Sequence, residues 1–219
     1  MRGTKLPHTL NVLKAFWRGC FAPKNLLLTN TVSSGILLGV GDCIQQKIER
    51  WRGVHTYPHY DWARTGRLFT VGLIAGPPHH FFYIFLDKFY PRTDAKTVFK
   101  KIMIDQIIAA PFFAFIFFTG TGLLEGKMWK DCLEEFKQKF PAVYLFDWCL
   151  WPPSQAINFM WVPSQYRVLY VNAVTVIWDV FLSYTKHYDQ EAKVGKMVAP
   201  GKHGTGDEVP AAAEIKKLT

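Results

Sequence analysis

Four stretches of the chain lack charged side chains over nearly the thickness of a bilayer: Leu26 to Gly41 (16 residues), Leu68 to Leu86 (19), Ile107 to Leu124 (18) and Trp148 to Tyr166 (19). A helix needs about 20 mostly apolar residues to cross the hydrocarbon core, and charged connectors separate the four. The spacing predicts an all-α polytopic membrane helix bundle with about four transmembrane spans. Averages conceal this. Mean hydropathy is +0.03, with 49% apolar and 20% charged residues, values shared with ordinary soluble domains. The distribution of charge, not its amount, points to the membrane.

Amides interrupt the last stretch. Gln155, Asn158 and Gln165 lie close together between Trp148 and Val168. An amide facing lipid has no partner and costs free energy, so these side chains are expected to face other helices. From Pro152 to His187 there are 36 residues, about 54 Å of helix, too long for one crossing. Pro163 is the natural break, giving either one kinked helix that leaves the membrane or two half-length pieces that meet within it. Asn158, Gln165, Asn172 and Asp179 fall seven apart on one stripe of a continuous helix. That stripe serves either as interhelical hydrogen bonds or as a polar track along a solute path. Asp42 and Asp105 are further acids at membrane depth, where an acid is a functional candidate by default. Lys101 precedes Asp105 by one turn and is a ready ion-pair partner for it.

Glycines suggest how the spans meet. Gly35 and Gly39, Gly72 and Gly76, and Gly122 and Gly126 are each four apart, the spacing that lets helix backbones approach closely in lipid. Gly76-Pro77-Pro78 should kink or interrupt the second span, because proline removes an intrahelical hydrogen bond and clashes with the turn before it.

Positive charge is concentrated in the first half. Residues 1–101 hold 15 Lys and Arg against 5 acids, a net of +10, while residues 102–219 hold 11 against 12. Residues 1–25 form a basic amphipathic N-terminal segment, residues 26–187 the helix bundle and residues 188–219 a polar tail too poor in apolar residues to fold. The N-terminal segment resembles a mitochondrial targeting sequence and equally suits an interfacial anchor on anionic lipid such as cardiolipin. Two spans separate it from the connector Asp87–Lys101, so both emerge on one side. Together they carry 10 basic residues against 2 acids. Arg92, Lys96, Lys100 and Lys101 are the residues expected to bind a polyanion there.

No catalytic, cofactor or metal site is expected. Cys20, Cys43, Cys132 and Cys149 form no Cys-x-x-Cys pair, and His79 and His80 point to different faces of any helix. Phosphate loops, dinucleotide fingerprints and nucleophile elbows are not found.

The run Trp151-Pro152-x-x-Gln155-x-x-Asn158-Phe159-x-x-Val162-Pro163-x-x-Tyr166-Arg167 resembles the signature of the Mpv-seventeen family, which includes the twenty-two-kilodalton peroxisomal membrane protein. Gly41-Asp42 with Gln45, Gly76-Pro77 with His80 and Tyr83, Asp105-Gln106 with Pro111, and Trp178 before Leu182-Ser183 are further matches. The resemblance implies a small four-span protein of mitochondrial or peroxisomal membranes without catalytic activity, and it suggests a small-solute or ion channel. The charge asymmetry suggests instead a membrane-anchored binding or assembly protein. Its polyanionic candidates on the matrix side are cardiolipin, the nucleoid and the mitochondrial ribosome, the last preferred. A channel would call for a homo-oligomer or an opened bundle, since four glycine-packed helices leave little room for a lumen.

Overall fold

The computed structural model describes residues 19–53, 59–92, 94–161 and 167–198, and every regular element among them is helical. A 3-10 turn, Pro23–Asn25, leads into α1 (Leu26–Trp51). It is followed by α2 (Trp62–Phe89), α3 (Ala95–Leu124), α4 (Trp129–Met160) and α5 (Arg167–Val198). The residues that bound these helices have the expected chemistry. Asp61 opens α2 by accepting a hydrogen bond from the Arg64 amide at 2.8 Å, and Asp94 opens α3 through the Thr97 amide and hydroxyl. At the end of α3, Gly126 adopts φ +80° while Lys127 N–H bonds Gly122 O and Gly126 N–H bonds Leu123 O. This is the left-handed stop that favours glycine.

Each helix runs antiparallel to the next. Gly72 of α2 lies against the backbone of Ser34 and Gly35 on α1, and Gly76 against Thr31. Val71 of α2 meets Gly120 of α3, Phe118 of α3 meets Phe136 of α4, and Phe146 of α4 stacks on Phe181 of α5 at 3.9 Å. The α5 helix then returns to α1, placing Asp179 on Gly41 and Ser183 on Asp42. The five helices thus close into a ring. Leu38, Leu68, Val71, Ala114, Phe117, Phe118, Val143 and Leu182, drawn from all five, fill its centre.

The outer surface is as apolar as the centre. Leu28, Ile36, Ile74, Phe81, Phe85, Ile107, Ile108 and Ile177 are each more than half exposed, far more apolar surface than a protein in water leaves open. Two helices, α1 and α3, are long and apolar enough to cross a membrane by length and composition, and most of each faces outward.

Several sequence expectations are revised. Pro77 and Pro78 do not interrupt α2, which continues to Phe89; within a bundle, neighbouring helices compensate the freed backbone groups. The charged connector between the third and fourth uncharged stretches is mostly helix, the first half of α4, with Cys132 buried under Gly122. The last apolar region divides between α4 and α5, and α5 turns back along α4 as a fifth helix. Helix also extends past His187 to Val198, through a stretch containing the helix formers Gln190, Glu191, Ala192 and Lys193.

Candidate functional site

The two ends of the ring differ in their buried charge. At the end where α1 finishes and α2 begins, hereafter the Glu49 end, a set of charges is internal and paired, with Lys47, Arg50, Arg52 and Lys130 exposed around it. Asp42, Gln46 and Glu49 recur along one face of α1 and are all buried. Arg64, one turn into α2, serves them. Its Nε donates to Asp42 Oδ1 at 2.7 Å and its two terminal nitrogens form a fork with Glu49 at 2.8 and 2.7 Å. One of those nitrogens also reaches Ser183 Oγ of α5 at 2.9 Å, and that hydroxyl donates to Asp42 at 2.7 Å. The other Asp42 oxygen accepts from Gln46 and Thr65. Gln46 completes the arrangement by exchanging two hydrogen bonds with the Asp61 backbone. A buried arginine with bidentate geometry is the arrangement in which an ion pair withstands desolvation.

Beside it, three lysines converge on two glutamates. Lys127 Nζ lies 3.0 Å from Glu125 and 2.9 Å from Glu135; Lys186 of α5 lies 2.8 Å from Glu135 and 3.4 Å from Glu125. Lys139 pairs with Glu135 at 3.1 Å and donates to the Lys186 carbonyl at 2.6 Å. Burial pushes the Glu125 carboxyl up, but His187, Lys186 and Lys127 overcome this and hold it well below the usual carboxylate range. Lys127, in turn, is held above the usual amine range by Glu135 and Glu125 in spite of burial. The cluster ties the α3–α4 turn to α5.

At the opposite Asn25 end the cations are open. Lys24, Lys88, Arg92, Lys96 and Lys100 are all exposed. Arg92 is 3.5 Å from Asp94, but Asp94 is already engaged as the helix cap. Lys101 is half-buried. Deeper in this half, Asn30 of α1 meets His80 of α2 at 2.9 Å, and Tyr83 donates to Asp105 at 3.0 Å.

Of the glycines singled out by spacing, Gly35, Gly72, Gly76 and Gly122 lie at close contacts, where an added Cβ would come within 2.9 Å of a neighbour. Gly39 is not at a close contact; its nearest neighbours stand at 3.8 Å. Gly126 ends a helix instead of packing one. Gly41 takes the close approach of α5. The polar stripe does not form a single face. Asn158 belongs to α4, whereas Asn172 and Asp179 belong to α5, which runs the other way. The side chains of Asn158, Phe159, Arg167 and Asn172, and residues Val162, Pro163, Gln165 and Tyr166, lie outside the described set, as does the N-terminal segment before Gly19. Trp151 of the motif packs edge-on against Trp178 at 6.3 Å. Pro152 is half-buried in α4, and Gln155 is likewise half-buried there.

Arg64, Glu49, Glu125, Glu135 and Lys186 were not among the site residues read from sequence. A signal was present: Asp42, Gln46 and Glu49 at helical spacing on one face of an apolar helix require a buried cation from elsewhere. Its position on α2 could not be inferred without the helix pairing.

Known proteins show the same chain plan. The Mpv17 / PMP22 family pattern matches residues 122–183. PXMP2/4 family protein 4 of Dictyostelium discoideum is 35% identical over 71% of this chain and 83% of its own length. The chain belongs to the Mpv17/PMP22 family. Protein sym-1 of Neurospora crassa is 34% identical over 72% of this chain and 90% of its own, and the human mitochondrial inner membrane protein Mpv17 is 32% identical over 71% and 88%. No solved structure matches. The mitochondrial inner membrane, named for the human, rat and mouse members, is the location this membership assigns.

Proposed function

We propose that this member of the family is a non-enzymatic binding and assembly factor whose basic end docks a polyanionic partner in the matrix, the mitochondrial ribosome before cardiolipin or the nucleoid. One observation carries the reading, the cluster of open cations at the Asn25 end. The Glu49 end exposes Lys47, Arg50, Arg52 and Lys130, but Arg64, Lys127, Lys139 and Lys186 there are engaged by acids of the same chain. At the Asn25 end, Lys24, Lys88, Arg92, Lys96 and Lys100 are all exposed, and Asp94 is the one exposed acid among the described side chains there. Open cations are available to phosphates, and such attraction weakens steeply as salt rises. The centre of the ring is packed with Phe117, Phe118, Leu68 and Val143, so a solute path through one copy would require those side chains to move. Docking makes no such demand.

The same proposal takes all five helices across the bilayer, one more than the uncharged stretches imply. α4 and α5 have 32 residues each, about 48 Å at the helical rise, enough to cross with a charged end left over.

Detergent-solubilised protein should co-sediment with mitochondrial ribosomal particles in low salt and separate from them in high salt. Replacing Arg92, Lys96, Lys100 and Lys101 with glutamine should weaken that association without releasing the protein from the membrane. Association that is absent at every salt concentration, or unchanged in the quadruple variant, rules this surface out. Transfer of binding to cardiolipin vesicles or DNA alone redirects the proposal to those polyanions.

A further inference from the structure

Nearly every buried polar group of the bundle is matched by another, which makes the exceptions informative. Among the described residues, Tyr60 Oη, Gln106 Oε1 and Asp147 Oδ2 are buried oxygens with no hydrogen-bond partner. Tyr60, ahead of α2, packs between Trp62 and Arg50, away from the other two. The other two belong together. Gln106 of α3 is 1% exposed and Asp147 of α4 is 5% exposed. The Gln106 amide is turned toward the Asp147 carboxyl, and Asp105 lies within electrostatic range of it. Tyr83 of α2 donates to Asp105 Oδ1 at 3.0 Å. His79 stacks on this tyrosine at 5.0 Å and meets Phe113 at a tilt, 4.3 Å away.

The backbone is unusual at the same point. Residues Asp105–Ala109 form a π-helical turn in the middle of α3, a local widening that costs regular hydrogen bonding and recurs at functional sites.

The chemistry of the orphan atoms identifies what is missing. Both are acceptors, and a second carboxylate sits close by. Buried acceptors left unpaired are costly, and adding another acceptor or an apolar group would not relieve them. A single cation would satisfy two carboxylates and a glutamine oxygen together. The donor set is all oxygen, which suits hard cations over transition metals, and no group of three or more His, Cys, Asp or Glu suited to a metal occurs among the described residues. We propose that Asp105, Gln106 and Asp147 bind one hard cation, alkali or alkaline-earth, between α3 and α4, with Tyr83 orienting the Asp105 carboxylate. The site lies apart from the exposed lysines of the Asn25 end, and it does not rest on the docking proposal.

The test uses purified full-length protein in detergent, stripped with chelator. Sodium, potassium, magnesium and calcium chlorides are added separately while N-methylglucamine chloride holds ionic strength constant, and melting is followed by tryptophan fluorescence. One of the ions should raise the melting temperature saturably. In Asp147→Asn and in Gln106→Leu the half-saturating concentration should rise by roughly tenfold or more, the scale seen when a group in or beside a metal's coordination shell is removed. Asp131→Asn, at an exposed acid of the first turn of α4, should leave it unchanged. Asp147→Asn removes a buried charge and changes stability in its own right, so the ion dependence is the readout and not the melting temperature alone. A melting temperature that no ion moves at constant ionic strength overturns the site, as does an ion effect that Asp147→Asn preserves. A response to pH alone also overturns it, and assigns the carboxyl pair a shared proton instead.

Discussion

Arg64 holds the charged end of the ring together, and its removal is the most damaging single change that the geometry predicts. Without its guanidinium, Asp42 and Glu49 would be buried with no counter-charge, a situation that costs about 3–5 kcal/mol. Arg64→Leu should therefore lower both the melting temperature in detergent and the steady-state amount of protein. Adding Asp42→Asn and Glu49→Gln should restore part of the loss. Arg64→Lys should not rescue, because one ammonium cannot supply a fork to Glu49 and a separate bond to Asp42. Full stability in Arg64→Leu would show that the cluster is a passenger. The neighbouring lysine–glutamate cluster makes a prediction about pH. Glu125 and Glu135 are held below their ordinary value of 4.5 in the folded protein, so they bind fewer protons folded than unfolded. Their contribution is complete above about pH 4.5 and is lost as pH falls through the depressed native values. The difference in melting temperature between wild type and Glu125→Gln should be constant from neutrality down to that point and shrink below it. A difference that grows on acidification would refute the assignment.

At the scale of the helix, the glycines separate into contacts that differ in hardness. A Cβ on Gly72 would stand 2.6 Å from Ser34 O and 2.7 Å from Gly35 Cα, which is rigid backbone, whereas one on Gly39 would meet only ordinary contacts at 3.8 Å. Gly72→Ala should cost about 1–3 kcal/mol, as overpacking does. Gly39→Ala should be neutral or mildly stabilising, since alanine favours helix over glycine. Thermal melts of the two variants in detergent check the order; equal effects would mean that α1 and α2 meet differently. Sequence spacing announced that backbones approach here but not which glycine of each pair does so. Gly39 and Gly41 are two residues apart on α1 and so face different neighbours, and only the position of α5 decides that Gly41 is the crowded one. The same limit applies to Gly126, whose positive φ serves a turn and leaves no mark in a four-residue repeat.

For the whole molecule, the number of crossings decides where the chain ends lie. Five antiparallel helices put the start of α1 and the end of α5 at opposite ends of the ring, where four spans would put the two termini on one side. Protease treatment of mitoplasts should remove an epitope tag from one terminus and spare the other. Equal sensitivity of both tags would restore an even count. With five crossings the Asn25 and Glu49 ends would lie on opposite faces of the membrane, and the start of α1 would share a side with the exposed lysines of the Asn25 end.

The sequence by itself determined the class of the molecule. Uncharged stretches of bilayer length can only be helices in lipid, because no other open backbone satisfies its own hydrogen bonds there. The cations of the Asn25 end were legible too, since residues in a short polar connector between two such helices have nowhere to go but the surface. What the linear pattern could not decide was every contact that depends on which helices are neighbours. The stripe from Asn158 to Asp179 looked continuous because a period of seven says nothing about a reversal of direction between Met160 and Arg167. The pairing of Asp42 with Arg64 and Ser183, separated by 22 and 141 positions, arises only when α2 and α5 both close on α1. Asp147 likewise meets Gln106 only across the α3–α4 hairpin. Periodicity fixes which face of a helix is polar; the partner of that face is a property of the ring, set by where backbones approach closely enough for short polar side chains to touch.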